Sequence, residues 1–83
     1  MLLEPVMTVD IMTPKEYVGE VISQITMRGG LIESLESRPS IEHIRAHSPL
    51  SKMFGYSTSL RSSTQGRGTF TMEFSHFAKK EEK

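Results

Sequence analysis

Pro49-Leu50-Ser51-Lys52-Met53-Phe54-Gly55-Tyr56-Ser57-Thr58-Ser59-Leu60-Arg61-Ser62-Ser63-Thr64-Gln65-Gly66-Arg67-Gly68-Thr69-Phe70-Thr71-Met72-Glu73-Phe74 reads as a helix, a turn and a strand in succession. Ser51 offers an N-cap, and the predicted helix runs from Lys52 to Thr64 with Met53, Tyr56 and Leu60 in a narrow apolar stripe that Phe54 widens. Serine, threonine and Gly55 give it poor intrinsic helix preference, so packing must hold it, and its small side chains let the backbone lie close to a sheet. Gln65-Gly66-Arg67-Gly68 is a turn, after which Phe70, Met72 and Phe74 alternate with polar residues as a half-buried strand does.

Upstream the same logic finds four more elements. Met7, Val9 and Ile11 alternate with Thr8 and Asp10, which predicts a strand. Thr13, Pro14 and Glu16 form a capping-box pattern, and Val18, Val21, Ile22 and Ile25 make one apolar helix face that Arg28-Gly29-Gly30 closes. Leu31 to Leu35 and Ile41 to His47 read as two strands joined around Ser37-Arg38-Pro39-Ser40. The order is βαββαβ. It predicts an α+β, ferredoxin-like sandwich: a four-stranded antiparallel sheet with two helices on one face. Met7, Val9, Ile11, Ile44, Ala46, Phe70, Met72 and Phe74 are expected to face the helices. Thr8, Asp10, His43, Arg45, His47, Thr71, Glu73 and Ser75 are left on the open side. A single domain is expected over residues 1–78, with 79–83 a charged flexible tail.

Composition narrows the function. Eighty-three residues make one small domain with a modest core. Without cysteine there is no disulfide framework and no zinc–thiolate site, which suits a cytoplasmic protein. No apolar run approaches the roughly 18 residues of a membrane span. Ten basic and ten acidic residues cancel, so there is no long-range pull toward nucleic acid; only a local basic patch could meet RNA.

Catalytic and metal patterns are missing. His43 and His47 lie about 13 Å apart on a strand, too far to share one ion, and His76 belongs to another strand. There is no G-x-S-x-G elbow, and Gly66-Arg67-Gly68 lacks the lysine and hydroxyl residue that end a P-loop. Asp10 and Glu73 occupy ordinary outward strand positions. An RNA-recognition module shares the βαββαβ order but stacks bases on aromatics of its central strands, and here Met7 to Ile11 and Ile41 to His47 contain none. What remains is contact through helix ends and loops. Lys15, Arg28, Arg61 and Arg67 lie at or near turns, where a guanidinium can fork onto phosphate, and Gly66 and Gly68 permit close backbone approach. The plain alternative for each arginine is a solvated or ion-paired surface residue, and for each glycine a tight turn.

The opening stretch closely resembles the carboxy-terminal domain of elongation factor G, whose phrase runs P-L-x-x-M-F-G-Y-x-T-x-L-R-S-x-T-Q-G-R-G-x-F/Y-x-M-x-F; every fixed position is present. Leu3-Glu4-Pro5-Val6-Met7 is similar to the family's L-E-P-x-M entry, and Thr13 to Ile22 to its T-P-x-E-Y-x-G-x-V-I helix. The resemblance implies a non-catalytic, monomeric piece of a translocation-promoting GTPase. GTP and magnesium would be bound elsewhere in that parent. The expected partners are the large ribosomal subunit, near the sarcin–ricin loop and stalk base, ribosomal proteins, and the parent's other domains. It makes Lys15, Arg28, Arg61, Gln65, Gly66, Arg67 and Gly68 the candidate ribosome contacts. Two positions depart from the family. Thr26-Met27-Arg28 keeps one arginine where two or three are common, and Ser48 stands where a larger apolar residue is usual. A paralogue acting in ribosome recycling is the nearest alternative reading. A free-standing regulatory module that dimerises or binds a ligand through its open sheet is a second.

Overall fold

A computed structural model describes residues 3–79 of the chain. Strand β1 (Leu3–Pro14) leads through a 3₁₀ turn (Lys15–Tyr17) into helix α1 (Val18–Met27). Strands β2 (Leu31–Ser37) and β3 (Ile41–Pro49) form a hairpin. A second 3₁₀ turn (Leu50–Lys52) precedes helix α2 (Tyr56–Ser63) and strand β4 (Thr69–Lys79). The sheet order is β2-β3-β1-β4 and every neighbouring pair is antiparallel. This is the ferredoxin-like arrangement expected from the patterning.

Period-two burial explains the core. Val9 and Ile11 of β1, with Ile44 and Ala46 of β3, turn to the helices and are fully buried. They meet Val21 and Ile25 of α1, and Met53, Tyr56 and Leu60 from the α2 segment. Tyr56 is the largest fully buried side chain, set edge-to-face against Phe70 at 5.3 Å between centroids. Its hydroxyl has no hydrogen-bond partner among the described residues. Burial pushes its pKa up to about 12, against a smaller opposing effect of Arg28.

Several local expectations are corrected. Thr13 does not cap α1: it is fully buried at the end of β1, and Pro14 holds the cap position of the 3₁₀ turn with no side-chain hydrogen bond. The apolar demand of the sheet outweighs the capping preference there. Ser51 does not cap α2, which starts four residues later than Lys52, behind Gly55 in the left-handed conformation. Phe54, in the connecting loop, is 76% exposed and adds nothing to the stripe. Strand β4 runs one residue into the expected tail, ending at Lys79; the rest of that tail, 80–83, lies outside the described residues.

Phe74 is cross-strand partner to Met7, hence on the helix side as expected, yet it is 55% exposed. A bulge re-aims the end of β4 just after it. The β1–β4 register slips between Val6 and Met7, so Met7 faces Phe74 while Val6 faces His76, leaving Ser75 unpaired. Beyond the bulge the faces exchange, and Phe77 turns to the same side as Phe74.

Candidate functional site

Strand pairing decides which candidate residues share an end of the sheet. Pro14 pairs with Ile41 and Met12 with Thr69, so the end of β1 and the starts of β3 and β4 lie together. Lys15 follows β1 directly, and the Gln65–Gly68 turn precedes β4 directly, at this same end. Helix α2 runs toward it, which places Arg61 of its last turn there too. Arg28, at the C-cap of α1, sits at the opposite end. The structure therefore gathers Lys15, Arg61, Gln65, Gly66, Arg67 and Gly68, and separates Arg28 from them.

The turn is built for rigidity. Gln65 (φ 55°) and Gly66 (φ 79°) are successive left-handed residues, and the Gly66 N–H donates to Arg61 O at 2.8 Å, the closing bond of a Schellman motif. Thr64, fully buried, donates its hydroxyl to Leu60 O at 2.6 Å and accepts from the Gly68 N–H at 2.9 Å. A Cβ on Gly68 would stand 2.9 Å from Thr64 Oγ1 and 3.1 Å from Leu60 Cδ1, so no side chain fits. These contacts fix the backbone on both sides of Arg67 while leaving Gln65, Gly66 and Arg67 themselves exposed. A shallow cleft of about 450 Å³ opens beside the turn, lined by Ser57, Leu60, Arg61, Gly66, Gly68, Thr69 and Phe70. Among the described residues, the Lys15, Arg61 and Arg67 side chains make no ion pair. Three solvent-facing cations around a rigid turn can receive an anionic surface at no cost in broken contacts.

Arg28 is occupied within the chain. Its Nη1 donates to Lys52 O at 2.7 Å and Phe54 O at 3.3 Å, and its Nη2 to Ser59 Oγ at 3.2 Å. The guanidinium carbon also lies 5.1 Å from the Tyr56 ring centroid. One arginine thus ties the end of α1 to the loop entering α2.

The open sheet face carries a charge network that sequence reasoning did not find. Asp10 Oδ1 accepts from Arg45 Nε at 2.9 Å and lies 3.0 Å from His43 Nε2. Burial opposes ionisation of Asp10, but the hydrogen bonds and charges of Arg45 and His43 together outweigh it and hold its pKa below the ordinary value. Glu36 lies 3.7 Å from His43, and Glu33 3.2 Å from His47. The signal available was the alternation of Asp10 and Arg45 on one face, but their pairing needed the β1–β3 register. The rings of His47 and His76 meet edge-on at 6.2 Å. No group of three His, Asp or Glu side chains able to hold a metal occurs among the described residues. The central strands β1 and β3 display no Phe, Tyr or Trp on either face. No helix among the described residues is long and apolar enough to cross a membrane.

The Elongation factor G C-terminus family matches residues 1–83. Elongation factor G 1 of Treponema denticola is 64% identical over 76 residues, which is 92% of this chain and 11% of that protein. The chain thus spans about a tenth of the length of the curated relative it matches. A crystal structure from Thermus thermophilus superposes with a TM-score of 0.87 at 36% identity, over 92% of this chain and 12% of that one.

Proposed function

Because the chain belongs to the elongation factor G C-terminus family, we propose that it is a non-catalytic domain that docks a translocation-promoting GTPase on the ribosome and aligns that factor's other domains. The observation that carries this reading is the rigid Thr64–Gly68 turn with Arg61 and Arg67 exposed around it. Net charge is zero, so affinity cannot come from the field of the whole domain. It comes instead from a small set of cations held in register with phosphate oxygens.

In this reading Arg61 and Arg67 fork onto ribosomal RNA phosphates near the sarcin–ricin loop and stalk base, with Lys15 adding charge at the rim. Gln65 and Gly66 bring backbone close to the same surface, which also includes ribosomal proteins, while Gly68, buried with its N–H on Thr64 Oγ1, holds the turn from behind. Arg28, held to Lys52 O and Phe54 O, supports the domain from the far end. GTP and Mg²⁺ do not fit this chain: its glycine–arginine turn lacks the P-loop lysine, and the nucleotide site belongs to another part of the factor. The factor acts in the cytoplasm.

The test is charge reversal in the full-length factor. Arg61→Glu and Arg67→Glu should each weaken ribosome engagement, lower ribosome-stimulated GTP turnover and flatten its salt dependence, with unfolding unchanged. Wild-type turnover in both variants would remove these residues from the interface.

A further inference from the structure

The open face of the sheet holds a second concavity, on the side away from the helices. Met12 pairs with His43 on one flank and Thr69 on the other, and Asp10 pairs with Thr71. Alternation sends these five side chains to the open face, where with Phe70 they line a pocket of about 280 Å³. That volume is at the lower end for a ligand cleft, room for one side-chain-sized group rather than a large cofactor.

The pocket offers one charge, two hydroxyls and an apolar wall. Asp10 Oδ1 is already taken by Arg45 Nε at 2.9 Å and by His43 Nε2 at 3.0 Å, whereas Oδ2 accepts no hydrogen bond among the described residues. Burial opposes ionisation of Asp10, but Arg45 and His43 keep it charged at neutral pH. Thr69 and Thr71 are exposed, and neither hydroxyl is hydrogen-bonded among the described residues. Met12, 37% exposed, supplies the wall. Around them Glu33, Glu36 and Glu73 join Asp10 against the guanidinium groups of Arg38 and Arg45. The field over this face therefore favours a cation, although the whole chain carries no net charge.

We propose that this pocket binds a primary ammonium group on an unbranched alkyl chain, with Asp10 Oδ2 and the hydroxyls of Thr69 and Thr71 as acceptors and Met12 along the alkyl chain. Linear polyamines and lysine side chains share that chemistry. A guanidinium suits the pocket less, because its planar fork needs both carboxylate oxygens and Oδ1 already has two donors. An ammonium arranges three donors around one point and can meet Oδ2 and both hydroxyls together. A metal ion would find one carboxylate there, and no group of three ligands occurs among the described residues. None of the lining residues belongs to the Thr64–Gly68 turn, so the site stands apart from the docking reading.

The experiment titrates the 83-residue chain with n-butylamine at neutral pH and follows amide proton–nitrogen correlation spectra, with n-butanol as the uncharged control. Saturable shifts centred on Asp10, Met12, His43, Thr69 and Thr71 are expected with the amine and not with the alcohol. Asp10→Asn should weaken binding by about tenfold or more, because a hydrogen bond to a charged acceptor is lost. Thr71→Val, which an exposed strand position accepts, should weaken it by about threefold while leaving the rest of the spectrum unchanged. Arg45→Gln should tighten it, since a competing cation is removed. Spermidine and Nα-acetyl-lysinamide then separate the two sources: tighter binding of the first assigns the pocket to free polyamines, and of the second to a lysine of a partner protein. Equal shifts with butanol, undiminished binding in Asp10→Asn or in Thr71→Val, or no saturable shift with any of these amines would overturn the proposal.

Discussion

Arg28 and Tyr56 are stacked, with the guanidinium carbon 5.1 Å from the ring centroid, while the same guanidinium donates to Lys52 O and Phe54 O. The pair joins the C-terminus of α1 to the buried first residue of α2, beside a longer tie from Gln24 Nε2 of α1 to Ser59 O of α2 at 3.4 Å. A helix as poor in intrinsic preference as α2 depends on that tie.

Arg28→Ala should therefore lower the stability of the 83-residue chain by about 1–2 kcal/mol. Arg28→Lys should recover little, because an ammonium cannot hold two carbonyls and a hydroxyl in one plane. Urea unfolding followed by circular dichroism measures both. An unchanged midpoint in Arg28→Ala would mean that the clamp contributes nothing.

Ser48 is fully buried and its hydroxyl finds no partner among the described residues. Removing the group removes a desolvation penalty rather than an interaction. Ser48→Ala is expected to raise stability by about 1 kcal/mol, seen as a higher urea midpoint at unchanged slope.

Tyr56 sets a pH dependence at the alkaline end. Its folded pKa, raised by burial to about 12, lies above the unfolded value of about 10, so folding holds the phenol neutral. Its contribution is complete below the unfolded pKa and is lost as pH rises through the interval between the two. The stability difference between wild type and Tyr56→Phe should thus be flat up to about pH 10 and then shift in favour of the variant. Parallel curves for the two proteins over that range would contradict the assignment.

Gly68 and Gly66 should respond differently to alanine. At Gly68 the new Cβ meets Thr64 Oγ1, itself fixed by two hydrogen bonds, so a loss of about 1–3 kcal/mol is expected. At Gly66 there is open space and only the left-handed backbone resists, for about 1 kcal/mol. Thermal melts of the two variants should preserve that order.

The sheet and its layers were legible because burial alternates strictly along β3 and from Val9 onward in β1, and a period of two admits one assignment of faces. Helix starts were not. Thr13 and Ser51 have capping chemistry, but one is taken into the core and the other into a 3₁₀ connection, choices made by tertiary packing. The candidate contacts were legible as residue types, since turns and basic side chains announce themselves. Their grouping was not, because it depends on Met12 pairing with Thr69 and on the direction of α2. Arg28 had the same sequence signature as Arg61 and Arg67, and only distances to carbonyls many residues away distinguish it. The β4 bulge was hidden for a related reason: Ser75 looks like any outward strand residue until its register is known.

Strand β1 lies between β3 and β4, neither of which adjoins it in sequence. The first and last strands of the described chain are therefore hydrogen-bonded partners, a contact that no local segment can make early. A polypeptide cut short before Thr69 would keep Val9 and Ile11 beside a bare hydrogen-bonding edge, unable to condense and open to degradation. Completion of synthesis and acquisition of structure are thereby coupled, so a truncated product would carry no half-formed version of this domain.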